Sequence, residues 1–321
     1  MTDSRSALCK DIVIFGGSAS RGLADKICTY LKVERGRASV TPFPDGETLV
    51  KVEDDVRGKD CFVVQSTCPP VNDNLMELLI FIDSLRRASA RRITAVIPYY
   101  GYARQDRKSE GRTPITAKLV ANMITTAGAD RVLTMNLHAD QIQGFFDIPV
   151  DHLTAAPVLT QHFAGQQLEN AVLVSPDVGN IKFGTDFATR IGTELAVIHK
   201  RRINSESTVA VTIVGNVEGK DVMMFDDMIT TAGTVCEAVK LVRANGAQRI
   251  FVGATHGVFA GPALERLASA EINEIVVTDT IPPRDECQER LKNLTTLTVA
   301  DLIGEAIRRI HEHRSVSALF F

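Results

Sequence analysis

No apolar run in the chain approaches the ~18 residues of a membrane-spanning helix, and the opening MTDSRSALCK lacks the apolar core of a secretory signal. Charge of one sign is missing too: 36 Lys and Arg against 39 Asp and Glu leave a formal net charge of -3. Such a balance gives no electrostatic case for nucleic acid or a membrane surface as partner. The six cysteines, at positions 9, 28, 61, 68, 236 and 287, show no CxxC spacing. Most sit in apolar surroundings, as Cys61 does before Phe62-Val63-Val64, and read as buried reduced thiols in a cytoplasmic protein. GxxxxGK[ST], a kinase HRD/DFG set and a GxSxG elbow are all absent, which argues against Walker-type NTPases, protein kinases and nucleophile-elbow hydrolases. The stretch GGSASRG from Gly16 lacks the GxGxxG spacing and reads as an ordinary βα turn.

What is present is βα alternation from end to end. At 321 residues the chain is long for one core, so two domains are expected. The expectation is α/β: two doubly wound, mostly parallel-sheet domains of similar size, 1–150 and 151–321, joined through Asp147-Ile148-Pro149-Val150. Amphipathic spacing places a helix over Asn74–Ala90, with Leu75, Leu78, Leu79, Ile82 and Leu85 inward and Asp73 as its N-cap.

The most informative stretch is Val222 to Thr234, VMMFDDMITTAGT. An apolar run, Val222–Phe225, suits a strand buried on both faces. Asp226 and Asp227 follow, then the small and hydroxylated residues Thr230, Thr231, Ala232, Gly233 and Thr234, then a helical pattern from Val235 to Asn245 closed by Gly246. A small-residue loop opening a helix presents unused N–H groups at the positive end of the helix dipole, which suits phosphate. Paired aspartates there accept from sugar hydroxyls or hold a metal, so the combination suggests a phosphorylated sugar.

Other polar clusters fall in predicted loops. FPDGE, Phe43 to Glu47, has the turn chemistry of a hairpin, although an aromatic beside two acids also suits a nucleobase. PYYGYARQDRK, Pro98 to Lys108, follows a strand, where ligands bind in open α/β sheets, and its arginines suit polyphosphate. His138 lies just past another strand; it is either a hydrogen-bonded structural residue or a metal ligand. Together with Asp177 in the other half it can share a divalent cation. Lys200, Arg201 and Arg202 make a mobile cationic loop, either a solvated charge run or a phosphate lid. Residue chemistry alone thus reaches a metal-dependent enzyme acting on a phosphorylated sugar and a nucleotide, without selecting the reaction.

FPDGE, QSTCPPVNDNLMELL, IPYYGYARQDRK, NLHADQIQGFFDIPVDHL, SPDVG, KRR and DDMITTAGT occur in the order and spacing of the ribose-phosphate diphosphokinases (phosphoribosyl pyrophosphate synthetases). The chain resembles that family along essentially its whole length, through the closing SVSALF. The resemblance implies two phosphoribosyltransferase-type domains, ATP on the N-terminal side and ribose 5-phosphate on the C-terminal side, with the last ~15 residues packing back on the N-terminal domain. It implies Mg2+-dependent transfer of a diphosphoryl group from ATP to the 1-hydroxyl of ribose 5-phosphate, releasing AMP. Phe43, Asp45, Glu47, Arg104, Gln105 and Arg107 match ATP-site positions, the aromatic reaching a neighbouring subunit. Asp226, Asp227 and Thr230 to Thr234 match the sugar-phosphate site. His138 and Asp177 match the Mg2+ positions, and Lys200 and Arg202 the catalytic lid. A homo-oligomer is implied, a hexamer built from dimers, and Ser315 and Ser317 match an allosteric phosphate site.

The chain departs from the family pattern on the ribose-phosphate side. Thr230 replaces the second aspartate of DDxxDTxGT, a hydroxyl where a charge is usual. The segment after Asp177 reads VGNIKFGTDF in place of a glycine pair and arginines, and Lys182 stands where an arginine is lost. The lid continues INSES, and Gly257 stands where a proline usually follows Thr-His. Two other functions remain compatible with the residues: a catalytically silent regulatory subunit of the same fold, and a phosphoribosyltransferase.

Overall fold

The computed structural model describes residues 11–166, 168, 170–176, 181–202 and 209–319, with backbone alone for residues 182–183, 200–202 and 209–211. Two compact α/β units divide the chain. The first runs to Thr154 and takes in Thr280–Pro282 and the segment from Thr298 onward; the second comprises Ala155–Asp279 and Pro283–Leu297.

The first unit is built on a five-stranded sheet. β1 (Ile12–Gly16), β4 (Asp60–Val64), β5 (Arg92–Ile97), β6 (Arg131–Met135) and β7 (Val150–Leu153) lie in that order, every pair parallel. β1 and β4 are buried at all positions, as continuous apolar runs require when both faces of a sheet are covered. β2 (Ala38–Pro42) and β3 (Thr48–Val52) form a separate antiparallel hairpin whose turn is FPDGE. Helices α1 (Arg21–Leu31), α2 (Val71–Arg87) and α3 (Thr116–Ala127) bury the apolar faces their spacing predicts, Leu23, Ile27 and Leu31 on α1 among them.

The second unit has a seven-stranded sheet. Its members are β8 (Ala171–Ser175), β9 (Glu194–Arg202), β10 (Val209–Val214), β11 (Asp221–Ile229), β12 (Arg249–Gly257), β13 (Glu274–Thr278) and β14 (Leu294–Leu297). Their order is β10-β9-β8-β11-β12-β13-β14, parallel except for β9 with β10. The order turns back between β8 and β11, making this the topological switch point, where open α/β sheets bind ligands at the carboxyl ends of strands. Helices α4 (Ala156–Ala164), α5 (Ile181–Ile191), α6 (Gly233–Ala244), α7 (Ala263–Ser269) and α8 (Asp285–Arg290) belong to this unit. The last helix, α9 (Ala300–His311), packs on α1 of the first unit. A Cβ at Gly304 would sit 2.6 Å from the Tyr30 ring, so this close approach requires glycine, and the Tyr30 hydroxyl donates to Glu305 at 3.0 Å.

Four details differ from the sequence expectation, the first three because a partner strand intervenes. β11 continues through Asp226 and Asp227 to Ile229, since β12 pairs with it as far as Gly257. β9 continues through Lys200 to Arg202, since β10 pairs with it antiparallel, so this cationic tract is strand backbone at its start and not a loop. Residue 150 falls in β7, which pairs with β6, and is not a linker. Pro70 occupies the N-cap of α2, which places Asp73 inside the first turn, where a carboxylate still suits the dipole.

Candidate functional site

In the second unit the stretch from Val222 to Thr234 is set from below by its own strand. Phe225 stacks on Phe187 at 4.4 Å between ring centroids and meets Phe163 edge-on at 5.1 Å. A Cβ at Gly253 of β12 would lie 2.5 Å from the Phe225 ring, so glycine is what lets the aromatic lie flat against the neighbouring strand. Above this cluster Asp226 and Asp227 are half-buried, and the Asp226 carboxylate accepts the Asp227 N–H at 2.9 Å.

The loop proper is three residues long. Ala232 is the N-cap of α6 in the left-handed region, φ 58°, with no side-chain cap. That conformation costs an alanine about 1 kcal/mol and is of a kind found at ligand sites. Cys236 is the first residue to donate back into the turn, its N–H reaching Ala232 O at 3.0 Å. Among the described residues, the N–H groups of Thr231, Ala232, Gly233, Thr234 and Val235 donate to no acceptor in the chain. Five donors at a helix N-terminus, with the macrodipole behind them, have the chemistry that suits an anion.

In the first unit the PYYGYARQDRK loop follows β5. Its first two tyrosines are structural: Tyr99 and Tyr100 are buried, and the Tyr100 hydroxyl donates to Ala117 O at 2.9 Å. Burial also pushes the Tyr100 phenol well above its ordinary range. A cleft of about 550 Å3 opens beside them, lined by Val71, Asn72, Tyr99, Tyr102, Ala103, Arg104 and Gln105. Arg104, Gln105 and Arg107 are exposed, with Gln105 held by Thr116 Oγ1 at 2.5 Å. Phe43, Asp45 and Glu47 form the tip of the β2–β3 hairpin and do not line this cleft; Phe43 is 46% exposed.

His138 lies exposed after β6, next to a backbone position that sequence inspection gives no reason to single out. Leu137 N–H donates to His152 Nε2 at 2.8 Å, and His152 Nδ1 lies 3.2 Å from Gln143 and 3.8 Å from Asp140. Burial lowers the His152 pKa, with Asp140 pulling the other way. His152, Asp140, Gln143, Asp151, Val316 and Ser317 line a cavity of about 350 Å3, and Ser315 is exposed nearby. Asp177 lies outside the described residues, as do the Lys200 and Arg202 side chains. Among the described residues no cluster of three His, Cys, Asp or Glu suited to a metal occurs, and no helix is long and apolar enough to cross a membrane. None of the five described cysteines forms a disulfide.

The model of the N-terminal domain of ribose phosphate pyrophosphokinase matches residues 12–128, and that of the phosphoribosyl synthetase-associated domain matches 203–321. The chain is 57% identical over 314 residues to the ribose-phosphate pyrophosphokinase of Rhodopirellula baltica, covering 97% of this chain and 99% of that one. With the enzyme of that name from Thermotoga maritima the identity is 51% over 313 residues, covering 97% and 98%. The crystal structure of phosphoribosylpyrophosphate synthetase from Mycobacterium smegmatis superposes with a TM-score of 0.87 at 44% identity, over 95% of this chain and 100% of that one. Parallel α/β units of this kind define a protein of the phosphoribosyltransferase fold type. Within that class, the chain belongs to the ribose-phosphate pyrophosphokinase family, transferases of nucleotide biosynthesis.

Proposed function

We propose that this chain transfers the β,γ-diphosphoryl group of ATP to the 1-hydroxyl of ribose 5-phosphate, giving 5-phosphoribosyl 1-diphosphate and AMP, with Mg2+ as cofactor. The carrying observation is the run of unused amides from Thr231 to Val235 beside Asp226 and Asp227. A phosphomonoester suits those donors, and two carboxylates suit ribose hydroxyls. Thr230 adds a neutral hydroxyl that both donates and accepts. On the donor side, Arg104 and Arg107 suit the ATP phosphates, with Gln105 and the hairpin residues Phe43, Asp45 and Glu47 completing the ATP site. The exposure of Phe43 supports its use by a neighbouring subunit, hence a homo-oligomer. A cytoplasmic location fits both substrates.

Mg2+ is held through one or two carboxylates plus substrate phosphate oxygens, so Asp177 would supply the carboxylate and His138 an accompanying imidazole. When bound it would neutralise phosphate charge and lower the pKa of the attacking hydroxyl. The protein's own part is positional and electrostatic. The amide loop fixes the 5-phosphate, the aspartates orient the ring, and O1 attacks the β-phosphorus in line with the departing AMP. Lys200 and Arg202 then stabilise the charge that develops on the transferred group. For Ser315 and Ser317 the proposed ligand is inorganic phosphate acting as an activator; a rate unchanged by added phosphate at fixed ATP removes that assignment.

The deciding experiment measures AMP released from ATP with and without ribose 5-phosphate. Release strictly dependent on the sugar phosphate is expected. A chain that binds both substrates without turnover is a silent regulatory subunit. One that forms nucleotide from a free base and 5-phosphoribosyl 1-diphosphate is a phosphoribosyltransferase.

A further inference from the structure

A trans peptide points its C=O and the following N–H in opposite directions. Where the carbonyls of the sugar-phosphate loop are held therefore decides where its amides aim. Three consecutive carbonyls are held, all by the segment that follows β12. Ile229 O accepts from Val258 N and Phe259 N, both at 3.1 Å, and Thr230 O accepts from Ala260 N at 2.8 Å. Thr231 O accepts from Arg266 Nη1 at 3.0 Å. The first two peptide planes are thus fixed by backbone alone, whereas the third, which carries the Ala232 N–H, is fixed by one side chain reaching from α7. Arg284 Nη2 in turn donates to Phe259 O at 2.7 Å, anchoring the strap that holds the first two.

We infer that Arg266 is a positioning residue for ribose 5-phosphate: its hold on Thr231 O turns the Ala232 amide, and with it the entry to α6, toward the 5-phosphate. This rests on the function proposed above for the same loop. Two features make the third plane the one that needs a hold. Ala232 occupies the left-handed region without glycine's freedom, and the peptide it shares with Thr231 has no strand partner. The guanidinium also lies close to the loop, 3.4 Å from where a Cβ on Gly233 would be, so it places positive charge beside the amide run. Its field is felt on α6, where it opposes the rise that burial gives the Cys236 thiol.

The test compares wild type with Arg266→Ala, Arg266→Gln and Arg266→Lys by steady-state kinetics, calorimetric binding of ribose 5-phosphate and thermal melting. Arg266→Ala is expected to raise KM and Kd for ribose 5-phosphate about tenfold. KM for ATP and kcat should stay within about twofold, since no ATP-side group is touched. Arg266→Lys, which keeps a charged donor, should recover most of the loss, and Arg266→Gln, which keeps only a neutral one, less of it. Unchanged sugar-phosphate affinity in a folded Arg266→Ala overturns the inference. So does a parallel decline for both substrates that follows the melting temperature, the mark of a merely structural role. If the alanine variant does not fold, the ranking decides: Arg266→Lys is expected to bind ribose 5-phosphate with a lower Kd than Arg266→Gln, and the reverse order overturns the inference. The two ideas fail separately: wild type that binds ribose 5-phosphate without forming AMP refutes the proposed reaction, while the Kd ranking still tests Arg266.

Discussion

In the first unit β4 begins with Asp60, whose carboxylate grips Arg92 at the head of β5; in the second, β11 begins with Asp221, which grips Arg249 at the head of β12. The surrounding bonds repeat as well. Gly58 N donates to Ser89 O and Gly219 N to Gly246 O, both at 2.9 Å, and the turns read VRGKD and VEGKD. Asp130 takes the Ile93 N–H at 2.7 Å, and Asn273 takes the Ile250 N–H at 2.8 Å. At their amino ends the central strands of the two units are the same device.

At their carboxyl ends they are not. After β4 the amides are consumed: Gln65 N, Ser66 N and Thr67 N reach Val96 O, Ser20 Oγ and Tyr99 O, each at 2.9 Å, and Pro69 and Pro70 have none to offer. The first unit even fills its other glycine turn from within, since Ser18 N donates to the buried Glu77 carboxylate at 2.7 Å and Ala19 N to Gln65 at 3.1 Å. After β11, among the described residues, the amides from Thr231 to Val235 are left unused. One scaffold thus gives two outcomes. Unused donors gather in the second unit, at the switch point that its strand order creates and the first sheet lacks.

The shared clamp should fail unequally. Asp60 is fully buried and also bonds His311 at 2.8 Å, tying down α9, whereas Asp221 faces an Arg249 that is 45% exposed. Asp60→Ala is therefore expected to destabilise by about 3–5 kcal/mol, as loss of one partner of a buried pair does. Asp221→Ala should lose only about 1 kcal/mol, since solvent screens its partner. Equal shifts in urea midpoint would show that the two clamps are equivalent after all.

For catalysis, Lys200→Ala should lower kcat by about 10²–10³, the loss typical of one charge-stabilising contact, with little change in either KM. A raised KM with kcat intact would make Lys200 a binding clamp. Giving the second unit the proline of the first, as Thr234→Pro in the opening turn of α6, removes one amide that no intrahelical bond uses. KM for ribose 5-phosphate should rise about 10–100-fold, as expected for one hydrogen bond to a charged group, with the melting temperature nearly kept. An unchanged KM would mean that the amide surface is not the phosphate site.

The smallest effect is confined to the first unit. His152 is half-buried, and the partial desolvation puts its folded pKa below its ordinary 6.5, so the unfolded chain takes up this proton first. Its contribution to stability is present above pH 6.5 and is lost as the pH falls through the folded value. The urea midpoint of wild type should decline on acidification from pH 6.5 down to that value, and His152→Asn should flatten the decline. Parallel profiles would assign the slope to other groups.

Local chemistry was legible in the sequence wherever a few neighbouring residues decide it. The helix after the amide loop was legible from its periodicity, although its start was read at Val235 and lies at Gly233; the FPDGE turn was legible from its Pro-Asp-Gly, and the inward faces of α1 and α2 from apolar spacing. Strand ends were misjudged at β9 and β11 because polar residues such as Lys200, Asp226 and Asp227 suggest loop until a partner strand supplies ladder bonds. The VRGKD and VEGKD repeat was visible in the letters, yet only the matching hydrogen bonds gave it meaning.

For the amide loop the division is clear. Its donors, its acids and the helix behind it were determined by sequence alone, because each depends on residues adjacent in the chain. The direction in which those donors aim was decided only by tertiary structure. It depends on carbonyls held from the strap after β12, and on Arg266, 35 residues from Thr231, arriving beside it. Spacing along the chain encodes periodicity and turns, but the partner of a distant carbonyl is fixed only when packed elements bring the two together.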